Sequence, residues 1–133
     1  TQKILKINAT NDKYNLSSKF NFKGHVSQDE LIKDMSSSNL LIAPYIRDSA
    51  SLLVSEALYS SLPVVTISET GPANVCSYFN PELSKISSGV GDSLIASLVE
   101  DITYFLDNFI DVKPKPASNF GDDIITEINS ILV

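Results

Sequence analysis

The stretch between Arg47 and Glu56 holds the side chains with the clearest chemical potential in this sequence. Glu56 is the one charged residue between Ser49 and Ser68, and it lies in an apolar segment. A carboxylate there would be costly to bury unless it is paired or hydrogen-bonded. As an acceptor-only group, it can take hydrogen bonds from two neighbouring hydroxyls. Asp48 could do the same a short distance earlier in the chain.

Between these two acids, the pattern predicts the start of a helix over residues 51–60. The amides of Ser51, Leu52 and Leu53 would then point out of its N-terminus, which suits an anion. Arg47 stands just ahead and could add positive charge. An acid, a set of amides and a second acid match a molecule with hydroxyls at both ends and phosphate in the middle. A nucleotide-sugar has that layout.

Each of these residues also has an ordinary structural interpretation. Glu56 could pair with a lysine from elsewhere in the chain, and Arg47 with Asp48 could form a solvated pair in a loop. Ser49 and Ser51 fit a loop position and a helix N-cap. The order and spacing of the group, rather than any single residue, favour a binding site.

The elements that would position this stretch alternate between strand and helix. The capping box from Ser27 to Glu30 opens a helix to about residue 37, with Leu31, Ile32 and Met35 facing inward. Pro72 is well placed to begin a short helix after the 68–72 turn. Asp92 is predicted to cap a helix to residue 106, with Leu94, Ile95, Leu98, Val99, Ile102 and Phe105 inward. Strands are predicted at residues 4–7, 19–23, 39–43, 63–67 and 85–87, and a last helix at 119–132 after the Lys-Pro-Lys-Pro connector at 113–116.

This alternation predicts an α/β fold, a Rossmann-like, doubly wound and mostly parallel sheet with helices on both faces. The runs at 39–43 and 63–67 are continuously apolar, as in strands buried on both faces. Residues 1–133 fit one domain. In such sheets ligands bind at the carboxyl ends of strands, which indicates the loops after residues 43 and 67.

Composition narrows the class of protein. Apolar residues make up 43% and charged residues 20%, typical of a globular chain, and the net charge is −6. A nucleic-acid surface would need clustered Lys and Arg. Cys76 is the single cysteine, predicted to be buried, and His25 is the single histidine, so no metal-type Cys/His spacing exists. No apolar run is long enough to span a bilayer. We expect a soluble protein of a reducing compartment, and the start at Thr1 fits an excised domain.

The run GHVSQDELIKDMSSSNLLIAPYIRDSASLLVSEALYSSLPVVTISETG, residues 24–71, resembles the C-terminal domain of group 1 retaining glycosyltransferases. That family has GT-B architecture, with two Rossmann-like domains facing across a cleft. Its signature is a Pro, a short loop, a Glu, seven residues and Glu-Ala, followed by Gly-x-Pro-Val. Pro44, Asp48, Glu56-Ala57, Pro63-Val64 and Gly71 stand at the matching positions.

The resemblance implies a role for each matched residue. Glu56 would hold the ribose of the donor nucleotide. Asp48, the predicted catalytic residue, would face the transferred sugar. The amides near Leu52 and Leu53 would bind the distal phosphate, with Ser51 and Gly71 in the same donor site. Arg47 is added to the predicted donor site because it stands just ahead of these amides, not because of the resemblance. No metal or other cofactor is implied, since helix-terminus amides and basic side chains stabilise the departing diphosphate.

The sequence departs from the family pattern at several places. Asp48 replaces Glu, Ala50-Ser51 replace Phe-Gly, Ser61-Leu62 replace Gly-x, and Pro72 stands where a second Gly is expected. The family's phosphate-binding Arg and Lys would lie upstream of Thr1. Arg47 is not a family position.

The resulting prediction is the donor-binding half of a metal-independent, retaining glycosyltransferase that acts in polysaccharide, glycoprotein or glycolipid synthesis. Its partners would be a nucleotide-diphosphate sugar and its own N-terminal acceptor domain, without which the chain should have little activity. A cytoplasmic location is expected, with peripheral attachment at the inner face of the membrane, through that domain, left open. The alternative is a degenerate, non-catalytic domain that serves as a scaffold or regulator. A receiver-like module is disfavoured because no paired aspartates follow the first strand at Asn8-Ala9.

Overall fold

The computed structural model describes residues 13, 19–47, 51–79 and 81–108. The chain divides into two compact units, Thr1–Leu31 and Ile32–Val133, each considered by itself. The predicted strand at 4–7, the connector at 113–116 and the helix at 119–132 lie outside the described residues, as does Asp48. The helices are α1 (Gln28–Ser37), α2 (Leu52–Tyr59), α3 (Gly71–Cys76) and α4 (Asp92–Asp107), and the strands are β1 (Leu41–Ala43), β2 (Val64–Ile67) and β3 (Ser84–Ser87), preceded by a 3₁₀ turn, Pro81–Leu83.

The first unit corrects one predicted element. Residues 20–24 belong to no strand, so the strand predicted at 19–23 is wrong. The alternating Phe20 and Phe22 do lie on one side, with nearly parallel rings whose centroids are 6.3 Å apart. Alternation fixes only which side chains share a side. A strand also needs a hydrogen-bonded neighbour, and this segment has none in the described part of the chain.

The start of α1 confirms the predicted capping box. The Glu30 amide donates to Ser27 Oγ at 3.3 Å, and the Ser27 amide donates to Glu30 Oε2 at 3.2 Å. Two N–H groups that the first turn cannot satisfy are thereby paired. Of the three residues predicted to face inward, Met35 is buried and Leu31 is half-buried, whereas Ile32 is exposed.

The strands of the second unit form a parallel sheet in the order β1-β2-β3. In register, Ala43 lies beside Thr66, which lies beside Ile86. The central strand β2 is buried through Val64, Val65 and Thr66. The prediction that β1 is buried on both faces holds only in part, because Ile42 is exposed. β1 is an edge strand of the described sheet, and α4 packs mainly on the other two strands.

Helices cover both faces of the sheet, as the sequence predicted. Helix α4 packs on β2 and β3, where Ser87 Oγ donates to Asp101 Oδ2 at 2.6 Å. Val65 and Ile67 share that face, because each lies in register with a residue on α4's side of β3. The alternate residues Val64 and Thr66 are also fully buried, so α2 and α3 cover the opposite face. The fold is therefore the expected Rossmann-like parallel α/β arrangement.

Helix α4 differs from its prediction at both its start and its inner face. The N-cap is Gly91, which makes no side-chain cap, and Asp92 is the first helical residue rather than the cap. The Asp92 carboxylate still lies in the first turn, where its negative charge interacts favourably with the helix dipole. Phe105 is buried as predicted, but Ile95 and Val99 are exposed. The prediction grouped all apolar positions on one face, whereas contacts with β3 select only part of them.

Candidate functional site

The carboxyl ends of the three strands lie side by side and define one edge of the sheet. Thr66 Oγ1 donates to the Ala43 carbonyl at 2.9 Å, which joins the ends of β1 and β2. The Ser68 amide donates to the Ser87 carbonyl at 2.9 Å, which joins the ends of β2 and β3. The loops after β1 and β2 therefore leave the sheet at a common edge. Both predicted site segments are on these loops and on the helices that follow.

The N-terminus of α2 is built by Ser51, which is buried and caps the helix. Its Oγ accepts the Val54 amide at 3.3 Å, and its carbonyl accepts the Ser55 amide at 3.2 Å. The amides of Leu52 and Leu53 lie in the first turn, where no carbonyl four residues earlier belongs to the helix and can accept their hydrogen bonds. The Leu52 side chain is 79% exposed, so this first turn lies at the surface. Two amides and the helix dipole are thus presented at the edge where the strands end.

Glu56 occupies the outer side of α2. The inner side is formed by Val54, Ala57 and Leu58, all fully buried against the sheet. Glu56 is half-buried and follows Leu52 by one helical turn, so both project from the same side. Side chains of a helix lean toward its N-terminus, which carries the carboxylate toward the first-turn amides. Glu56 therefore does not bear the full desolvation cost of an acid in an apolar core.

The loop after β2 contains a residue whose importance the sequence did not indicate. Glu69 has a φ of +59°, a conformation that side chains other than glycine adopt at a cost. Next to it, Thr70 caps α3, because its Oγ1 accepts the Ala73 amide at 3.4 Å and donates to the Ile67 carbonyl at 2.7 Å. Gly71 is the buried first residue of α3. A backbone outlier at the binding edge is a recognised mark of functional loops.

Exposed apolar side chains occur just after β1 and at the first residue of α2, and we call them the apolar lip. Tyr45 and Ile46 follow β1, Leu52 begins α2, and Ile46 is 80% exposed. Arg47 is also exposed on the β1 side. Because Asp48 is outside the described residues, its predicted placement opposite Glu56 stays a prediction. The other predicted site residues are on the two segments that leave the common edge.

Cys76 ends α3 and is buried, as predicted. Burial raises the pKa of its thiol from 9.0 to about 11, an effect that a hydrogen bond with Ser84 only partly offsets. A thiol with so high a pKa carries almost no thiolate at neutral pH and is a poor nucleophile. Cys76 is a packing residue.

Two further properties concern metals and membranes. Within the described ranges, no three side chains of His, Cys, Asp and Glu come together in a way that could hold a metal ion. None of the helices described here combines the length and the apolar character needed to cross a bilayer.

Comparison with known proteins supplies the family. The family model for glycosyl transferases group 1 matches residues 6–109. The match includes β1 to β3, all of α4 and every residue of the candidate site. No curated protein and no solved structure matches the chain significantly. The matched range covers most of the 133 residues. The chain belongs to the group 1 glycosyl transferase family.

Proposed function

We propose that this domain binds the nucleotide-diphosphate sugar donor of a retaining, metal-independent glycosyltransferase. The observation that carries the proposal is the first turn of α2. Its capped and exposed N-terminus lies at the carboxyl edge of the sheet, with Glu56 one turn behind Leu52 on the same side. An anion-binding terminus next to a hydroxyl-accepting carboxylate suits a phosphorylated sugar ligand.

Different groups of α2 bind different parts of the donor. The amides of Leu52 and Leu53 hold the distal phosphate, while the Ser51 hydroxyl keeps the helix start fixed by capping Val54. Glu56 accepts hydrogen bonds from the two ribose hydroxyls. A carboxylate this close to a diphosphate would be repelled by it, so the ribose is the part of the donor that fits.

The loops on either side complete the donor site. Asp48 accepts hydrogen bonds from the transferred sugar, and Arg47 adds positive charge on the β1 side. Gly71, buried at the start of α3, lets the second loop approach the ligand closely.

Transfer breaks the bond between the anomeric carbon and the diphosphate oxygen and forms one to a hydroxyl oxygen of a glycan, lipid or protein acceptor. Negative charge grows on the departing diphosphate as the bond breaks. Preorganised amides and the helix dipole stabilise that charge in place of a metal ion. The acceptor oxygen attacks the anomeric carbon from the face that the diphosphate leaves, so the sugar keeps its anomeric configuration. The acceptor's hydroxyl proton passes to the departing diphosphate oxygen, and the acceptor oxygen is neutral in the new glycosidic bond.

The apolar lip gives the acceptor domain a place to close. Tyr45, Ile46 and Leu52 expose apolar surface next to the donor site, where two-domain glycosyltransferases meet across their cleft. Covering this surface excludes water from the reacting bond. Donor binding can therefore occur on this chain, whereas efficient transfer requires the second domain.

Binding measured on the chain itself tests this proposal. Calorimetry with UDP, GDP, ADP and their sugars, in EDTA, should show that one base class binds. Glu56→Ala should weaken that binding by at least about tenfold, the loss expected for hydrogen bonds to a charged group. The fold should persist, because Glu56 is half-exposed on the outer side of α2.

The matched control is Glu82→Ala, which also removes an acid. Glu82 is exposed and precedes the amino end of β3, at the opposite edge of the sheet. Equal affinities of the Glu56 and Glu82 variants would remove Glu56 from the ribose site. Addition of Mg²⁺ should leave the affinity unchanged, and a strict need for it would contradict metal independence.

The second candidate is a non-catalytic domain that keeps the fold and serves a partner. It is favoured by departures from the family pattern: Ser61 stands at a backbone position suited to glycine, with a φ of +63°, and Pro72 stands where a second Gly is expected. Silence of the whole nucleotide panel, both on this chain and on the full-length gene product, would favour this candidate over the enzyme.

A further inference from the structure

Helix α4 carries an apolar stripe that the sheet does not use. Ile95 is 60% exposed, Val99 58% and Leu106 64%. Together with the half-buried Ile102, they follow one another at intervals of four, three and four residues, which places them on one side of the helix. We call these four residues the α4 stripe. A continuous exposed apolar surface of this kind is a mark of an interaction site.

The stripe cannot turn inward, because contacts on another side fix the rotation of α4. Asp101 Oδ2 accepts a 2.6 Å hydrogen bond from the buried Ser87 Oγ. Lys85 Nζ lies 4.2 Å from the centroid of the Tyr104 ring. Phe105, one turn beyond Asp101, is buried against the sheet. Rotation that buried Val99 would break all three contacts, so the described sheet leaves the stripe uncovered.

Charge around the stripe indicates the kind of partner. α4 carries Asp92, Glu100, Asp101 and Asp107 and contains neither lysine nor arginine. Asp92, Glu100 and Asp107 are exposed, and Asp92 lies two turns before Val99 on the same side. The whole chain has a net charge of −6. A second copy or an anionic lipid surface would bring like charges together, which disfavours both.

We propose that the α4 stripe docks a basic amphipathic segment of a protein partner. The segment would place apolar side chains at helical spacing on Ile95, Val99, Ile102 and Leu106. Its flanking Lys or Arg side chains would face the carboxylates of Asp92, Glu100 and Asp107. This is the helix-in-groove mode of recognition, with electrostatic complementarity setting specificity. The stripe contains none of the proposed donor-binding residues and does not depend on the proposed nucleotide binding.

The test uses the full chain and a fluorescent helical peptide of leucine and lysine at amphipathic spacing, about 18 residues long, or five turns. Its affinity is measured by anisotropy, and its footprint by NMR chemical shifts. Binding should weaken at moderate salt and shift the resonances of Ile95, Val99 and Leu106. The double variant Ile95→Ser/Val99→Ser should weaken binding by about tenfold or more, as expected for central apolar contacts.

The matched control is Val90→Ser, which removes a more exposed apolar side chain outside the stripe. Equal binding by the control and the double variant would overturn the proposal. Concentration-dependent dimerisation abolished by the double variant would assign the stripe to a second copy instead. If the chain bound anionic vesicles and the double variant did not, the stripe would be assigned to a membrane surface instead. If residues 109–133 protected the stripe from hydrogen exchange, the stripe would be covered by the chain itself.

Discussion

At the scale of single residues, the end of α2 explains one departure from the family pattern. Ser61 stands where group 1 glycosyltransferases have glycine, and its φ of +63° is the left-handed conformation that glycine adopts freely. The Ser61 amide donates to the Leu58 carbonyl and the Leu62 amide to the Ala57 carbonyl, at 3.1 and 2.9 Å. These two bonds define a Schellman motif with a serine at the C′ position.

Ser61→Gly should therefore stabilise the domain by about 1 kcal/mol, because it removes the left-handed penalty of an L-residue. Urea unfolding monitored by circular dichroism measures the change. Ser60→Gly is the matched control, since Ser60 has a φ of −84° and gains nothing from glycine. The explanation fails if both variants change the free energy of unfolding in the same direction.

At the scale of elements, the Ser51 cap connects stability to the candidate site. Ser51 Oγ accepts the Val54 amide, and this fixes the first turn whose other amides would hold phosphate. The sequence indicated this N-cap, because serine before an apolar helical run is a common helix start. That the cap would lie beside the ends of β1 and β2 depends on the sheet.

Ser51→Ala should lower the free energy of unfolding by about 1 kcal/mol, the usual cost of a lost N-cap. It should also weaken nucleotide binding, since the amides lose their fixed direction. Ser55→Ala is the control: its hydroxyl bonds only to the Ser51 carbonyl from inside the helix, where alanine is favourable. The measurements are the unfolding midpoints and the calorimetric nucleotide affinities of both variants. Identical nucleotide affinities of Ser51→Ala and Ser55→Ala would show that the cap does not contribute to the binding site.

At the scale of the whole molecule, burial of Cys76 makes stability depend on alkaline pH. The unfolded thiol loses its proton near its ordinary pKa of 9.0, whereas the folded one keeps it up to a pKa of about 11. Between these values the unfolded chain binds fewer protons, so the free energy of unfolding falls as pH rises. The contribution is fully present below pH 9 and can fall by about 1.4 kcal/mol per pH unit above it.

Unfolding at pH 8 and pH 10.5 should show a larger loss for the natural chain than for Cys76→Ala. The comparison is between the two pH-dependent losses, since the cavity left by the variant lowers its stability at both pH values. Parallel losses would mean that the thiol does not titrate differently in the folded state. Reaction of Cys76 with a thiol reagent at pH 8 should also be slow unless denaturant is present.

The proposal that a second domain closes over the apolar lip leads to a prediction of its own. Ile46→Ser should lower transfer activity of the full-length protein while leaving nucleotide affinity of this chain within about twofold, because it removes exposed apolar surface without adding a charge near the donor. Ile32→Ser, at an exposed apolar position on α1, which precedes the amino end of β1, should leave both unchanged. Loss of nucleotide affinity in the Ile46 variant would place the lip in the donor site rather than at the domain closure.

Structural features that depend on residues close together in the chain could be predicted from this sequence. The alternation of strand and helix patterns predicted the parallel α/β class. The structure contains both hydrogen bonds of the predicted Ser27–Glu30 capping box, and Pro72 lies in the first turn of α3 as expected. These features depend on contacts between residues a few positions apart, which sequence spacing specifies directly. Glu56 and the α2 amides were also placed on one helix, because the helical repeat fixes their relative angle.

Only the tertiary structure decided which of the available faces are used. Residues 19–23 alternate but have no strand beside them in the described part of the chain, and Ile42 is exposed on β1, an edge strand of the described sheet. The apolar positions of α4 span more than one face, and the contacts of Asp101 with Ser87 and of Tyr104 with Lys85 choose the buried one. Periodicity sets angles within an element. Which neighbour covers each angle depends on hydrogen bonds and packing between residues far apart in the chain, and no local pattern encodes that choice.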